Sequence, residues 1–326
     1  MTTTETRLVP MPAEAARLLP SFDAERMLDE LTSVREHKWD RQRVYDEKGV
    51  GAETDVDWRC LALRSPGGDP TRTDPGGPGA QDFADTSWLD RLPYLREVLE
   101  AIPAPLHAVR LMALGPDTVG IDHHDPKYGP RWGVARLHVP VVTNPDAVLV
   151  LDGVEHNWQP GTFWFGDFSR LHRVQNHGAE TRTHLVIDAL VVPGLAAVFP
   201  PEWQEYFDDG DVLFNRQSQP QRPHERRRYE VDFRLPAGFT LWEEETDFDG
   251  PTTAATVRDS GDLLVLEVES GQRLGLVHLG DGEYRFAGWS EERTIQLFVD
   301  GPTPGAVLRV RAGREVREAT VPLDRR

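Results

Sequence analysis

The sequence predicts a mainly β chain, on three observations. Short apolar stretches recur between residues 108 and 192, separated by Gly, Asn, Asp and Pro, as in a sandwich or barrel. Several of them alternate: Val134, Arg136 and His138 against Ala135, Leu137 and Val139, the period of a strand with two unlike faces. A second set of short apolar segments, again divided by Gly and Asp turns, lies beyond residue 225.

Taken in order, residues 12–36 carry Leu18, Met27, Leu28 and Leu31 among charges, which predicts helical turns. The stretch 65–80, Ser65-Pro66-Gly67-Gly68 through Pro75-Gly76-Gly77-Pro78-Gly79, is too rich in Gly and Pro for regular structure. It is expected to be a surface loop, a lid over a site being the other reading. Pro93 fits the first turn of a helix; Leu95, Val98, Leu99 and Ile102 repeat at helical spacing until Pro103 and Pro105. Strands are expected at 108–114, 134–142, 147–151, 162–165, 171–176 and 183–192. Pro200-Pro201 and the polar stretch 217–228, with Arg226-Arg227-Arg228, look like a boundary. The Arg run is expected to be a solvated linker, or else a peptide-docking patch. Further strands at 263–268, 274–278, 284–286, 295–299 and 307–310, with turns such as Gly280-Asp281-Gly282, predict a small sandwich or barrel-like extension that carries no catalytic constellation. The expected organisation is an N-terminal helical or irregular segment (1–55), a β domain (56–215) and a C-terminal β-rich domain (225–326).

Composition narrows the function. At 326 residues the chain can bury a substantial core. A net charge of −18 argues against nucleic acid and anionic membrane as partners. Lys127, Arg131 and Arg136 nevertheless make one region locally basic, which fits a substrate bearing a carboxylate. Cys60 is the sole cysteine, so no intrachain disulfide forms and a reducing compartment is expected. Met1-Thr2-Thr3-Thr4-Glu5 lacks a basic-then-apolar signal, and no apolar run reaches the ~18 residues of a membrane span. A soluble cytoplasmic protein is expected.

Four residues carry the chemistry. His123 and Asp125 stand two apart, so in an extended segment both side chains project to one side; His124 then points away, and Asp122 faces the wrong way. His172 follows about fifty residues later and Arg182 ten beyond that. Two imidazoles and a carboxylate can cover one face of a ferrous ion and leave the rest open. Arg's planar fork can hold a carboxylate in bidentate fashion. Singly, His172 could be a core histidine and Arg182 an ion-pair partner of Glu180 or Asp188. A plain hairpin through 177–180 would place Arg182 on the face opposite His172. A chain that crosses from one sheet to another there lets both point inward.

Arg136-Leu137-His138-Val139-Pro140, Thr143-Asn144-Pro145, Gly161 to Asp167, His172-Arg173-Val174-Gln175-Asn176 and Arg182-Thr183-His184-Leu185-Val186-Ile187-Asp188 together resemble the aspartyl/asparaginyl β-hydroxylase family, and are similar to the microbial proline cis-hydroxylases. The likeness runs from about Trp58 to Val192. It implies a double-stranded β-helix (jelly roll, cupin-like) core over 56–215 and a 2-oxoglutarate-dependent dioxygenase that uses Fe(II), 2-oxoglutarate and O2. Carried over, the metal ligands would be His123, Asp125 and His172. Arg182 would bind the distal carboxylate of 2-oxoglutarate, His138 would lie near that cosubstrate, and Arg136 would take a substrate or cosubstrate carboxylate. Some members of the family lack the carboxylate ligand; Asp125 keeps it and fills the place a halide would need. The implied reaction is hydroxylation of an amino-acid side chain, free or in a peptide, for example β-hydroxylation of an acidic residue in natural-product biosynthesis. Trp132, Trp158 and Trp164 are candidates to line a dry pocket. The alternatives are a cupin-like metal-dependent isomerase or hydrolase, and a non-catalytic peptide- or sugar-binding barrel. No relative is recognised for 225–326.

Overall fold

A computed structural model of the protein describes residues 8–46 and 48–324; the opening Met1 to Glu5, and the expectation drawn from it, lies outside the described residues. The regular elements are mostly strands, arranged in two facing sheets, a separate C-terminal one and a two-stranded ribbon of Arg43–Asp46 with Gly49–Glu53.

The larger sheet runs, edge to edge, Ala15–Ser21, Thr162–Gly166, Val134–Val142, Arg182–Leu190, Leu106–Leu114, Trp58–Pro66 and Asp40–Arg41, with Phe83–Asp85 paired to Trp58–Pro66. The smaller sheet runs Val154–His156, Ala147–Leu151, His172–Asn176 and Thr118–Val119. All pairings are antiparallel, and strands next to one another in sequence repeatedly fall in different sheets. This is the double-stranded β-helix. His172–Asn176 belongs to the smaller sheet and Arg182–Leu190 to the larger, so the chain does cross between them at 177–181. Asn176, fully buried, marks the crossing: its amide donates to the carbonyls of Leu114, Gly115 and Glu180 at 2.8–3.2 Å.

Alternation decides what each face carries. Leu61, Leu63, Val109, Leu111, Leu137, Val139, Leu185 and Ile187 form the outer face of the large sheet and pack with two helices in one core. The first helix, Ala24–Arg35, is capped by Asp23, whose carboxylate accepts from the amides of Glu25 and Arg26. The second, Pro93–Glu100, forms where the spacing predicts one. Glu30 of the first accepts from the amides of Tyr94 and Leu95 at the start of the second, a carboxylate placed at a helix N-terminus. The even-numbered residues of Arg182–Leu190 turn to the opposite face, inside the jelly roll.

Three expectations need correction. Leu18 lies on a strand, Ala15–Ser21, because Pro20 cannot continue a helix and Ala16 and Leu18 are buried while Leu19 is exposed, a period of two. The Gly/Pro stretch is irregular only from Gly67, since Ser65 and Pro66 close the strand Trp58–Pro66, and its second half, Thr73 to Pro78, is largely buried where a surface loop was expected. Residues 67–82 wedge against the C-terminal sheet: Gly79 bonds to Ala287 and Gly275 through the backbone, and Asp82 pairs with Arg285 at 2.9 Å. Arg226 is buried, donating to Asp259 at 2.9 Å and to the carbonyl of Gln221, so the Arg run is a pinned helical turn, and only its neighbours are solvated.

The C-terminal sheet contains eight strands, from Val231–Pro236 to Glu315–Pro322, each paired to the next in sequence. A bridge between Phe233 and Leu323, and a bond from the Asp324 amide to the Asp232 carbonyl, bring its ends together. The meander is thus a closed up-and-down barrel, its interior filled by side chains such as Phe233, Leu266, Phe286, Trp289 and Leu308.

Candidate metal centre

His123 forms an isolated antiparallel bridge with His172: each amide donates to the other's carbonyl, at 3.0 and 2.9 Å. The Asp125 amide is fastened to the Phe168 carbonyl at 3.0 Å. This pairing extends the small sheet by one rung and sets the two imidazoles 4.2 Å apart, centroid to centroid. Ligand atoms of His123, Asp125 and His172 all lie within 4.8 Å of one another. Nδ1 of His123 bonds to the Ile121 carbonyl and Nδ1 of His172 to the Arg170 carbonyl, both at 2.9 Å. A carbonyl only accepts, so Nδ1 carries the proton in both rings and Nε2 keeps its lone pair. His124 turns outward to the Ser169 carbonyl, and Asp122 pairs with Arg173.

Asp125 is held by Arg136, whose Nη1 donates to Oδ2. The other two guanidinium nitrogens of Arg136 grip Asp188, at 2.7 and 3.1 Å. Burial pushes the Asp125 carboxyl up, but Arg136, His172 and His123 outweigh it and leave its pKa below the usual value. His172 is pushed down by burial, against the pull of Asp125. Both shifts favour a deprotonated donor set at neutral pH.

Arg182 is 3 % exposed, and its one polar partner among the described residues is His184 Nδ1, at 3.0 Å. Neither Glu180 nor Asp188 reaches it. Burial alone lowers the guanidinium's pKa to about 9. Because a guanidinium only donates, His184 Nδ1 accepts, and the ring's Nε2–H is left without a partner. His138 lies between the two ends of the interior. It stacks on Phe168 at 5.1 Å, Phe168 meets the His172 ring at 4.9 Å, and His138 Nδ1 is 3.4 Å from His184 Nδ1. Burial, with Arg182 second, holds the pKa of both His138 and His184 well below that of a free imidazole.

The basic neighbourhood expected around residues 127–136 is neutralised by acids of the same chain. Lys127 pairs with Glu292, Arg131 with Asp211, and Arg136 with Asp125 and Asp188. Arg136 is therefore occupied with two internal carboxylates. Trp158 and Trp164 stack at 5.2 Å against the interior, with Trp158 also touching His138. Trp132 sits elsewhere, in a shallow cleft with Met11, Tyr206 and Asp211. Sequence reasoning missed Arg110. It is 2 % exposed and faces inward in register with Val186, which is itself opposite His138. Its Nε and Nη1 have no hydrogen-bond partner, and Asp188 is 4.0 Å from Nη2. A lone cation in the apolar run Ala108 to Leu114 was the available signal. Asp188, three even steps from Arg182 on a strand otherwise largely apolar, was another. A cleft of about 790 Å³ lies away from this cluster, between the first helix and the outer face of the large sheet, where Leu31, Trp39 and Val141 line it.

The donor set fits the group the fold calls for. Nitrogen and oxygen donors without thiolate suit Fe(II), and the orphaned N–H groups of Arg110, His184 and Trp158, beside an Arg182 without an acid, suit an anionic cosubstrate. Fold and interior together define the class, a jelly-roll oxygenase of the Fe(II)/2-oxoglutarate type. The chain belongs to the aspartyl/asparaginyl beta-hydroxylase family, whose model matches residues 21–191, and Fe(II) and 2-oxoglutarate follow from that membership. Similar solved structures include an oxidoreductase of the 2OG-Fe(II) oxygenase family from Burkholderia pseudomallei, with 12 % identity over 54 % of this chain and 84 % of that one and a TM-score of 0.36. A prolyl hydroxylase from Trichoplax adhaerens, in complex with a peptide fragment of the hypoxia inducible factor oxygen degradation domain, has 10 % identity over 53 % and 80 %, TM-score 0.35. A Pseudomonas putida prolyl-4-hydroxylase has 14 % identity over 55 % and 93 %, TM-score 0.33. No curated protein matches the chain. Among the described residues no helix is long and apolar enough to cross a membrane.

Proposed function

We propose that the protein hydroxylates an unactivated C–H bond on the side chain of an amino acid, free or within a peptide, with His123, Asp125 and His172 holding Fe(II) and Arg182 receiving the distal carboxylate of 2-oxoglutarate. One observation carries the reading: a fully buried guanidinium without a carboxylate partner in the same β shell as a His-Asp-His cluster. When bound, metal and cosubstrate supply the oxidising power, consuming O2 and releasing CO2 and succinate.

The chain's own residues bind, orient and exclude water. Arg182 would fix one end of 2-oxoglutarate, with the unpaired His184 Nε2–H beside it. Arg136 fixes the rotamer of Asp125 and keeps it ionised. Phe168, Trp158 and Val186 wall the space between them, where a dry site strengthens every charge interaction.

The buried charges support a substrate class. Arg110, Arg136 and Arg182 face Asp125 and Asp188, three cations against two anions. A divalent ferrous ion and dianionic 2-oxoglutarate add no net charge, so one guanidinium remains uncompensated. Arg110, with two unpartnered nitrogens, is that residue, and a substrate carboxylate would balance it. An acidic residue or a free amino acid fits.

The test is anaerobic loading with Fe(II) and 2-oxoglutarate, then oxygen, with a panel of free amino acids and acidic peptides. One added oxygen in a carboxylate-bearing member, with stoichiometric succinate, is the expected result. Loaded protein that never converts 2-oxoglutarate to succinate would sink the proposal.

A further inference from the structure

The family match stops at residue 191, yet the C-terminal barrel reaches into the loop that carries Asp125. That loop, 125–133, is conformationally demanding. Lys127 adopts φ 57°, a left-handed conformation unusual for a residue with a side chain, and Gly133 adopts φ 74°. Outside the barrel its backbone is tied by the Asp125 amide to the Phe168 carbonyl at 3.0 Å, by the Gly129–Val134 bridge, and by the Pro130 and Gly133 carbonyls, which accept from the amides of Leu213 and Val191 at 2.9 Å.

The barrel adds ties of its own, among them the Gly313 amide donating to the Arg131 carbonyl at 2.6 Å and a tight segment, Trp289 to Arg293. Glu292 Oε1 pairs with Lys127 Nζ at 2.9 Å, with the two side chains 1 % and 10 % exposed. Its other oxygen accepts from Trp289 Nε1 at 3.2 Å, which fixes the carboxylate, and Lys127 also donates to the Glu244 carbonyl at 3.3 Å. The Ser290 hydroxyl donates to the Trp132 carbonyl. Asn215 bridges the same two parts: its amide donates to the Gly133 carbonyl at 2.7 Å and its oxygen accepts from the Glu291 amide at 2.9 Å. Tyr128 spans the two parts: its ring packs in the barrel's core, 6.2 Å from that of Trp289, and its hydroxyl donates to Asp188 of the jelly roll at 3.4 Å. The other face of Tyr128 lies under the Arg136 guanidinium at 4.3 Å, and Arg136 holds Asp125. Two routes therefore join barrel to carboxylate: Glu292 through Lys127 along the backbone, and Trp289 through Tyr128 and Arg136.

We propose that the C-terminal barrel is a positioning element of the oxygenase site, in which Glu292 and Trp289 set the orientation of Asp125 toward the metal. The proposal rests on the reading of His123, Asp125 and His172 as ligands. Glu292 and Lys127 are positioning residues; neither reaches the His-Asp-His cluster. Removing the Glu292 charge strips Lys127 of its acid, and removing Lys127 leaves Glu292 with Arg293 Nε at 3.4 Å; either change lets the strained turn relax, so Asp125 moves relative to the two imidazoles.

The experiment is anaerobic titration of the full chain with Co(II), read by its visible ligand-field spectrum, alongside thermal denaturation. Glu292→Gln and Lys127→Met break the pair from opposite sides; Glu292→Asp keeps it, and Asp125→Ala gives the effect of losing the carboxylate outright. We expect Glu292→Gln and Lys127→Met to weaken Co(II) at least tenfold and to shift the spectrum toward that of Asp125→Ala, with Glu292→Asp within about threefold of the parent. A brace that mattered only for folding would lower the melting temperature and leave affinity and spectrum of the folded protein unchanged, and that result overturns the proposal. Should one disrupting variant fail to fold, the other decides. A parent that binds no Co(II), or an Asp125→Ala variant that binds it equally well, would instead overturn the ligand reading, and the brace with it.

Discussion

Arg182 stores the sharpest consequence of this structure. Its guanidinium is buried, touches no carboxylate, and has a pKa lowered to about 9 from its usual value above 12. At about 1.4 kcal/mol per pKa unit, that is on the order of 4–5 kcal/mol of uncompensated desolvation carried by the cosubstrate-free protein. The sign follows from linkage: the unfolded chain holds the proton more tightly, so the burden is fully present below pH 9 and is relieved only as pH rises through the folded pKa. Arg182→Met removes the charge and keeps most of the volume. It is expected to stabilise the cosubstrate-free protein by roughly 1–4 kcal/mol, raising its melting temperature by several degrees. The same change leaves the distal carboxylate of bound 2-oxoglutarate unpaired, a loss of roughly 3–4 kcal/mol, or two to three decades in affinity. Calorimetry under anaerobic conditions with metal present measures the second effect and differential scanning the first. An Arg182→Met protein that binds 2-oxoglutarate as the parent does would refute the assignment; one that melts well below the parent would refute the claim that the charge is a burden.

Three further outcomes are expected. His172→Ala should abolish succinate formation while the protein stays folded and soluble, as judged by circular dichroism; retained turnover would show that the ligand set is wrong. His107 is buried, stacked on Phe83 at 4.9 Å, with its pKa pressed down to about 4 chiefly by burial; an imidazole that must stay neutral in the fold loses stability as pH falls from about 6.5 to 4, by roughly 3 kcal/mol. His107→Phe should flatten urea-denaturation stability across that window, and an unchanged slope would count against it. Asn176→Ala removes the side-chain donor to the buried Leu114 and Gly115 carbonyls and should cost roughly 2–4 kcal/mol in urea unfolding.

The residues carrying the local signals were legible in the sequence. Alternation located Val134–Val142, an apolar run bounded by turn residues located Ala147–Leu151, the spacing of His123 and Asp125 put them on one side of an extended segment, and the requirement that the chain cross sheets before Arg182 is met at Asn176. What stayed hidden was pairing over long sequence distance. Lys127, Arg131 and Arg136 look like a free basic patch until Glu292, Asp211 and Asp188 fold onto them. Arg226 is a member of a charge run until Asp259 buries it. Arg110 was obscured by its apolar neighbours, because an inward-facing cation on a strand has the same period as the hydrophobic residues it replaces. The Gly/Pro stretch is irregular by composition, but its packing against Gly275, Arg285 and Ala287 depends on a barrel whose closure is not written in any one strand.

The central claim is that the two imidazoles and Asp125 share one ion, with Arg182 within reach of what that ion holds. Crystals grown anaerobically with Mn(II) and 2-oxoglutarate, with the ion located by its anomalous scattering, test it directly. A single interior peak is expected, bonded to Nε2 of His123, Nε2 of His172 and the Asp125 carboxylate, with the distal carboxylate of 2-oxoglutarate on Arg182. A peak bonded to other residues, or a cosubstrate that leaves Arg182 untouched, would contradict it.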